Sequence, residues 1–192
     1  MSNVRSAAAA MAALALLAAA CGTGMRDEPG DMGNTGDTAM RTSAPAASPA
    51  GPGSASSAPA ALRFDARTLD GEPFEGESLA GRPVAFWFWA PWCPKCLSDA
   101  PAVKAAAARH GDVTVVGVAG LDTEAAMKQF VRRTGTGDLV HLSDAEGALW
   151  TKLGVSEQST FVFMRPDGST EKVTGPLGQD KLETHLRALA TR

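Results

Sequence analysis

A Cys-x-x-Cys motif at the junction of a predicted strand and a predicted helix constrains this chain more than any other feature. Residues 83–89 read PVAFWFW, an apolar run that is typical of a strand buried on both faces. The segment APWCPKC follows at residues 90–96, and an alanine-rich helical pattern continues from there. This order predicts that Cys93 lies at the N-terminus of a helix and that Cys96 lies one turn further on.

A sulfur atom at a helix N-terminus has a defined chemistry. The unpaired backbone N–H groups and the helix macrodipole favour a negative charge there, and so favour a thiolate. The thiolate is the species that attacks disulfides. Cys96 is near enough in the chain to close an intramolecular disulfide with Cys93 and release a product. The segment therefore predicts a two-electron thiol–disulfide exchange site.

The first 21 residues predict a bacterial lipoprotein signal. Arg5 is followed by an apolar run at residues 7–20, which is too short to span a bilayer comfortably. The sequence LAAACG at residues 17–22 resembles a lipobox, which implies that Cys21 is acylated and becomes the mature N-terminus. The alternative is a plain secreted protein in which Cys21 is incidental.

The cysteine count supports an extracytoplasmic location. The chain has three cysteines, and lipid attachment at Cys21 leaves only the pair Cys93 and Cys96. The chain then has no further cysteines for a structural disulfide. We expect Cys93 and Cys96 to react in an oxidising, extracytoplasmic compartment. We expect a protein held by its lipid at the extracytoplasmic face of the bacterial cell membrane.

Composition divides the rest of the chain into two parts. Residues 22–60 are rich in Gly, Ala, Ser, Thr, Pro and Asp, so they cannot bury enough apolar surface to fold. As a flexible tether they would hold the domain on the order of 35 Å from the membrane. Residues 61–192 predict one globular domain. The net charge of −3 and the lack of a basic cluster argue against nucleic-acid binding.

Hydrophobic periodicity in the domain predicts alternating strands and helices. A hairpin at residues 62–74 precedes strands at 84–89, 113–119 and 139–142, and helices are predicted at 94–109, 122–133 and 146–153. A second hairpin spans residues 160–174, and an amphipathic helix spans 179–190. This order predicts an α/β sandwich with a mixed central sheet, helices on both of its faces and an N-terminal β-hairpin.

Several segments together resemble one protein family. The stretch FWFWAPWCPKC at residues 86–96, with SDAP at 98–101, resembles the TlpA/ResA-like branch of the thioredoxin superfamily. Within that branch, these segments most resemble secreted DsbE-like proteins of actinobacteria. The segments DAEGALW (144–150) and FVFMRPDG (161–168) continue the resemblance, which covers residues 63–189. It implies a thioredoxin-like fold, with Cys93 as the exposed nucleophile and Cys96 as the resolving thiol.

The same resemblance places an acidic residue six positions after the first cysteine, usually Glu and here Asp99. On a helix Asp99 neighbours Cys96, so its carboxylate could accept the Cys96 proton as that sulfur attacks a mixed disulfide. The alternative is that Asp99 only complements the helix N-terminus. Asp is one methylene shorter than Glu, which reduces its reach.

The chain departs from the family at the loop that normally carries a cis-proline facing the cysteines. The matching residue is Ser159, followed by Thr160. Since a non-proline cis bond costs about 3 kcal/mol, local energetics favour a trans Gln158–Ser159 bond and an altered loop. Ser159 also brings an N–H and a hydroxyl that can change how the thiolate is solvated.

Residues beside the cysteines complete the predicted site. Trp92 is predicted to be exposed next to Cys93, whereas Trp87 and Trp89 share a strand face and are predicted to pack. Lys95 adds positive charge, which favours the thiolate and a more oxidising couple. We assign substrate binding to Trp92, Pro94, Lys95, Ser159 and Thr160.

No cofactor or metal is expected. A zinc site would need two further ligands at suitable spacing beside the cysteine pair, and the sequence offers none. The three histidines, His110, His141 and His185, are scattered and are interpreted as surface or core residues.

The predicted function is thiol–disulfide exchange with cysteine-containing extracytoplasmic proteins, by a monomer that works with a membrane redox partner. The positive charge and the helix N-terminus favour an oxidase. Many TlpA/ResA-like proteins are instead reductants that serve cytochrome c maturation, so a reductase is the alternative direction. Two further functions are open to this fold, a thiol peroxidase and a non-catalytic binding module, and the intact cysteine pair argues against the binding module.

Overall fold

The structure, a computed structural model, describes residues 58–191. Cys21 and most of the predicted tether lie outside the described residues. Short 3-10 turns cover Ala60–Leu62 and Gly76–Leu79. The strands are β1 (Asp65–Thr68), β2 (Pro73–Glu75), β3 (Val84–Trp89), β4 (Thr114–Gly120), β5 (Val140–Asp144), β6 (Thr160–Met164) and β7 (Thr170–Thr174), and the helices are α1 (Pro94–Arg109), α2 (Glu124–Thr134), α3 (Ala148–Lys152) and α4 (Gly178–Ala190).

The strands form one seven-stranded mixed sheet in the order β2-β1-β5-β4-β3-β6-β7. The central strand β3 runs parallel to β4 and antiparallel to β6, and β4 runs parallel to β5. The hairpin of β1 and β2 joins the sheet through an antiparallel pairing of β1 with β5. The predicted α/β fold with a mixed sheet and an N-terminal hairpin is confirmed.

Strand β3 is buried along its whole length because helices cover both faces of the sheet. Ala85, Trp87 and Trp89 pack in the cluster that holds the buried residues of α1, α2 and α4. Phe86 and Phe88 point to the other face, where α3 packs. The predicted packing role of Trp87 and Trp89 is confirmed, since neither side chain is exposed.

Three helices show features that their sequences do not by themselves predict. Proline removes a hydrogen bond from a helix interior, yet α1 is one continuous helix through Pro101. Helix α3 begins two residues later than predicted, after Gly147, whose φ of +75° lies in the left-handed region that glycine tolerates. On α2 the fully buried residues are Met127 and Phe130.

No helix within residues 58–191 is long and apolar enough to cross a membrane. The same range contains no cluster of three or more His, Cys, Asp or Glu side chains that could hold a metal ion.

Candidate active site

The β3–α1 junction sets the geometry of the cysteine pair. Cys93 is the N-cap of α1, and its Sγ accepts a hydrogen bond from the backbone N–H of Cys96 at 3.1 Å. Pro94 occupies the first helical position, where its missing N–H costs nothing and its fixed φ suits a helix. The sulfur of Cys93 therefore takes the place of the side-chain oxygen that usually caps a helix.

Both thiols are free, and both are buried. Cys93 is 4% exposed and Cys96 is not exposed at all. The expectation that Cys93 is exposed was therefore wrong. As the N-cap it folds back over the first turn of α1 and joins the apolar cluster beneath the junction. Cys93 thus keeps a small exposed area, whereas Cys96 has none.

The surroundings of Cys96 oppose its ionisation. Burial raises the pKa of the Cys96 thiol far above its usual range, and the neighbouring Cys93 raises it further. The backbone of Ala90 and the side chain of Ser159 lower the pKa of Cys96, but the effect of burial is larger. Cys96 therefore holds its proton at neutral pH, and a thiolate at this position needs help to form.

Asp99 is buried on α1 and faces the start of another helix. Its Oδ1 accepts hydrogen bonds from the backbone N–H groups of Leu177 at 2.9 Å and Gly178 at 3.0 Å, at the N-terminus of α4. Its Oδ2 has no hydrogen-bond partner among the described residues. The structural role that the sequence suggested for Asp99 was at the N-terminus of α1, because nothing local to Asp99 signals a helix 78 positions away.

Ser159 lies in the loop before β6, and the Gln158–Ser159 bond is cis. Local energetics favour a trans bond at this position, and the sequence alone left its conformation open. In the fold, Ser159 Oγ accepts a hydrogen bond from Trp87 Nε1 at 2.8 Å, and its carbonyl oxygen accepts one from the N–H of Gly175 at 2.6 Å. Ser159 is thus held on one side by the Trp87 indole and on the other by the backbone of Gly175.

The predicted substrate-binding residues separate into two groups. Trp92, Pro94 and Lys95 are exposed around Cys93. Ser159 and Thr160 are 0% and 1% exposed, so their side chains do not reach the surface. Their side chains are therefore not part of the exposed surface around Cys93.

An apolar surface borders the cysteine pair. Trp92 is 56% exposed, and its Nε1 donates a hydrogen bond to the carbonyl oxygen of Leu121 at 3.3 Å. Leu121 follows β4, is 45% exposed and has a φ of +60°, a value that leucine seldom adopts. Leu97 is exposed to the same extent as Leu121. Sequence reasoning missed Leu121, since no local signal predicts a left-handed leucine.

A buried histidine lies next to the second tryptophan of β3. Trp89 Nε1 donates to His141 Nδ1 at 3.2 Å, so the His141 proton is on Nε2, which donates to the Thr136 carbonyl oxygen at 2.9 Å. Burial lowers the pKa of His141 and keeps the ring neutral.

Comparison with known proteins links this arrangement to disulfide chemistry. Residues 58–173 match the AhpC/TSA family. The chain is 40% identical over 138 residues to the soluble secreted antigen MPT53 of Mycobacterium tuberculosis, a match covering 70% of this chain and 79% of that protein. It is 25% identical over 132 residues to the thiol-disulfide oxidoreductase ResA of Bacillus anthracis, covering 67% of this chain and 76% of that protein.

A solved structure of a disulfide oxidoreductase is also similar to this chain. The structure of a secreted disulfide oxidoreductase of Mycobacterium tuberculosis, described as homologous to Escherichia coli DsbE, superposes with a TM-score of 0.64 at 41% identity. The match covers 67% of this chain and 98% of that one.

Proposed function

This chain belongs to the AhpC/TSA family within the thioredoxin superfamily and is a thiol–disulfide oxidoreductase of the ResA and DsbE type, and we propose that it acts as an oxidase that passes the Cys93–Cys96 disulfide to cysteine-containing proteins outside the cytoplasm. The observation that carries the proposal is the hydrogen bond from the Cys96 N–H to the Cys93 sulfur at the N-terminus of α1. This donor and the helix dipole stabilise a Cys93 thiolate, and a stabilised thiolate makes the disulfide a stronger oxidant.

The oxidase reaction has two exchange steps. A substrate thiolate first attacks the Cys93 sulfur, the Cys93–Cys96 bond breaks, and Cys96 leaves with the electron pair and takes up a proton. A second substrate thiolate then attacks the substrate sulfur of the mixed disulfide, and Cys93 leaves as a thiolate held by the Cys96 N–H. The substrate loses two electrons and gains a disulfide, and the protein becomes a dithiol. A membrane redox partner would accept those two electrons and restore the disulfide.

Asp99 is proposed to handle the proton of Cys96. The thiol needs a proton donor when it leaves and a base when it attacks, because burial raises its pKa. The Oδ2 atom of Asp99 is buried and without a partner among the described residues, while Oδ1 is engaged by α4. One oxygen is thus structural and the other is available for proton transfer.

Substrates are proposed to dock on the apolar surface around the Cys93 opening. Trp92 and Leu121 present this surface, and Lys95 adds a positive charge that forms no ion pair within the described residues. A polypeptide with an apolar side chain beside its cysteine would gain contact there while its sulfur approaches Cys93.

A reductase is the second candidate, and the burial of Cys96 favours it. A thiol with a raised pKa is a strong nucleophile once its proton is removed, so Cys96 would resolve mixed disulfides efficiently. In that direction the protein would supply electrons to oxidised substrates, as in cytochrome c maturation.

Trapping and equilibration test the proposal. In a Cys21→Ala background, the reduced Cys96→Ala variant should accumulate mixed disulfides when its Cys93 thiolate attacks substrates that contain a disulfide, because no second thiol is present to release them, and Cys93→Ala should form none. Equilibration of the protein with glutathione then gives the direction. A potential between about −120 and −200 mV supports the oxidase, whereas a value near −270 mV, that of thioredoxin, would support the reductase instead.

Hydrogen peroxide distinguishes a disulfide oxidoreductase from a thiol peroxidase. The same protein, incubated with hydrogen peroxide and a reductant, should consume no more peroxide than the Cys93→Ala variant does. Rapid consumption that needs Cys93 would replace the disulfide proposal with a peroxidase.

A further inference from the structure

The turn that presents Cys93 is held by two neighbouring parts of the fold. The N–H of Cys93 donates to the carbonyl oxygen of Ala90 at 3.1 Å. This bond closes a turn whose two corners are Pro91 and Trp92. The Trp92 indole donates to the segment after β4, and the carbonyl oxygen of Pro91 accepts a hydrogen bond from Arg133 Nη2 at 3.4 Å. One of these two contacts therefore brings a full positive charge to the turn.

The guanidinium of Arg133 is positioned by the core as well as by the turn. Arg133 lies at the end of α2, and its Cζ is 5.6 Å from the centre of the Phe130 ring. A cation at this distance is attracted to the face of an aromatic ring. Phe130 in turn stacks on Trp89, the last residue of β3, with ring centres 4.4 Å apart. The exposed charge of Arg133 therefore has a defined place beside the Cys93 turn.

The charges next to Cys93 are mainly positive, although the whole chain carries a net charge of −3. Arg133 bonds to the turn before Cys93, and the exposed Lys95 follows Cys93 by two residues. Neither cation forms an ion pair within residues 58–191. Asp99 is buried and bonded to the start of α4. Asp122, which follows β4, accepts a backbone N–H at the start of α2, where the helix dipole offsets part of its charge.

We propose that Arg133 is a specificity-determining residue which, together with Lys95, favours substrates that carry an acidic side chain beside the reacting cysteine. Arg133 uses one of its five N–H donors on Pro91. Its other donors form no hydrogen bond with the described residues, so a substrate carboxylate can accept from them. The inference rests on the proposed function in taking Cys93 as the sulfur that exchanges with the substrate, and it holds for either direction of electron flow.

The positive charge acts while a substrate sulfur bonds to Cys93. An attacking thiolate bonds to Cys93 Sγ, the Cys93–Cys96 bond breaks, and its electron pair moves to Cys96, which takes up a proton. The residues that flank the substrate sulfur then lie close to the turn that Arg133 contacts. At low ionic strength, Coulomb attraction in water at such short range should change the rate about threefold for each unit of substrate charge.

The test uses the mature chain in a Cys21→Ala background, oxidised to the Cys93–Cys96 disulfide, and two small thiols of similar size and opposite charge. Mercaptoethanesulfonate carries a negative group, and cysteamine carries a positive one. The rate at which each thiolate reduces the disulfide is measured at low salt by acid quenching and alkylation of the released protein thiols. The readout is the ratio of the two rates, because a change in the disulfide itself affects both reactions alike.

Two adjacent arginines of α2 provide a matched pair of variants. Arg133→Gln should lower the ratio of the sulfonate rate to the cysteamine rate about fivefold, and Arg133→Lys should keep most of the ratio because it keeps the charge. Arg132 carries the same charge but lines a separate cavity with Leu139 and His141, so Arg132→Gln should leave the ratio within about twofold. In 1 M NaCl the parent should approach Arg133→Gln, because the Debye length falls to about 3 Å.

Peptides extend the test to the substrate class. Of two reduced peptides that differ only in an Asp or a Lys next to their cysteine, the parent should react faster with the Asp peptide, and Arg133→Gln should reduce that preference. A ratio in Arg133→Gln within about twofold of the parent would overturn the inference, and so would an equal fall in Arg132→Gln, which would assign the effect to net charge alone. Failure of the proposed function would appear separately, as the absence of trapped substrates in the Cys96→Ala variant.

Discussion

At the scale of single residues, the two cysteines differ in how their surroundings treat negative charge. Cys93 Sγ receives a backbone N–H at the start of a helix, which favours the thiolate. Cys96 is enclosed by apolar side chains, and its pKa is raised mainly by burial. One short segment thus contains a sulfur suited to carry charge and a sulfur suited to hold a proton.

The raised pKa of Cys96 predicts that the reduced protein loses stability at alkaline pH. Above pH 9.0, the usual value for a thiol, Cys96 ionises in the unfolded chain but stays protonated in the folded one. The unfolded state then binds fewer protons, so the free energy of unfolding should fall by about 1.4 kcal/mol per pH unit from this group.

Denaturant unfolding between pH 8 and pH 10 would measure this loss. The reduced Cys96→Ala variant is the matched control, because it lacks the titrating thiol and should lose less stability over the same range. The disulfide form should also lack this contribution. An equal slope in the reduced parent and in the reduced Cys96→Ala variant would show that Cys96 does not cause the loss.

At the scale of elements, α1 and α4 are joined through buried and partly buried charges. Asp99 on α1 accepts the N–H groups of Leu177 and Gly178 at the N-terminus of α4. At the other end of α1, Glu183 on α4 pairs with Arg109 at 2.9 Å and with His110 at 2.6 Å. The helix that carries the cysteines is thereby fixed at both ends to the last helix of the domain.

Two substitutions of Asp99 should separate its structural role from its proton role. Asp99→Ala leaves two backbone N–H groups at the start of α4 without their acceptor, so it should cost about 3 kcal/mol of stability. Asp99→Asn keeps an oxygen for those N–H groups but removes the ionisable carboxyl. It should retain most of the stability and slow the step in which Cys96 gains or loses its proton.

Denaturant unfolding and single-turnover exchange across pH 6 to 9 would measure the two effects. The expected outcome is that the pH dependence of the exchange rate changes in Asp99→Asn while its unfolding midpoint stays near that of the parent. If Asp99→Asn exchanged disulfides with the parental pH profile, Asp99 would be a helix cap alone.

At the scale of the whole molecule, we propose that the domain works on a membrane anchor. The predicted signal at residues 1–21, with Cys21 as the acylated residue, and the predicted tether of residues 22–60 support this proposal. A tethered domain reaches substrates near the membrane and meets a membrane redox partner at high effective concentration.

Mass spectrometry of the mature protein from its host would check the anchor. The expected N-terminal residue is Cys21 with a lipid mass added, and Cys21→Ser should release the protein into the medium or leave its signal uncleaved. A mature protein that begins elsewhere, with an unmodified Cys21, would contradict the anchor and leave a secreted protein.

The sequence by itself determined the fold class, the cysteine-bearing strand–helix junction and the positions of most elements. These features depend on local order: an apolar run, a Cys-x-x-Cys turn with proline, and alternating periodicities along the chain. The strand predicted at residues 84–89 and the helix predicted at 94–109 have the bounds that the structure gives β3 and α1. Cys93 at the start of α1 follows from that order alone.

Tertiary structure decided what surrounds the sulfur atoms. Asp99 meets α4, Ser159 meets Trp87, and the Trp92 indole meets Leu121 across separations of 78, 72 and 29 residues. The burial of Cys93 likewise depends on contacts made only in the folded chain. Local sequence patterns report the conformational preferences of neighbouring residues, whereas the charge stabilisation of a buried thiol depends on groups brought together by packing.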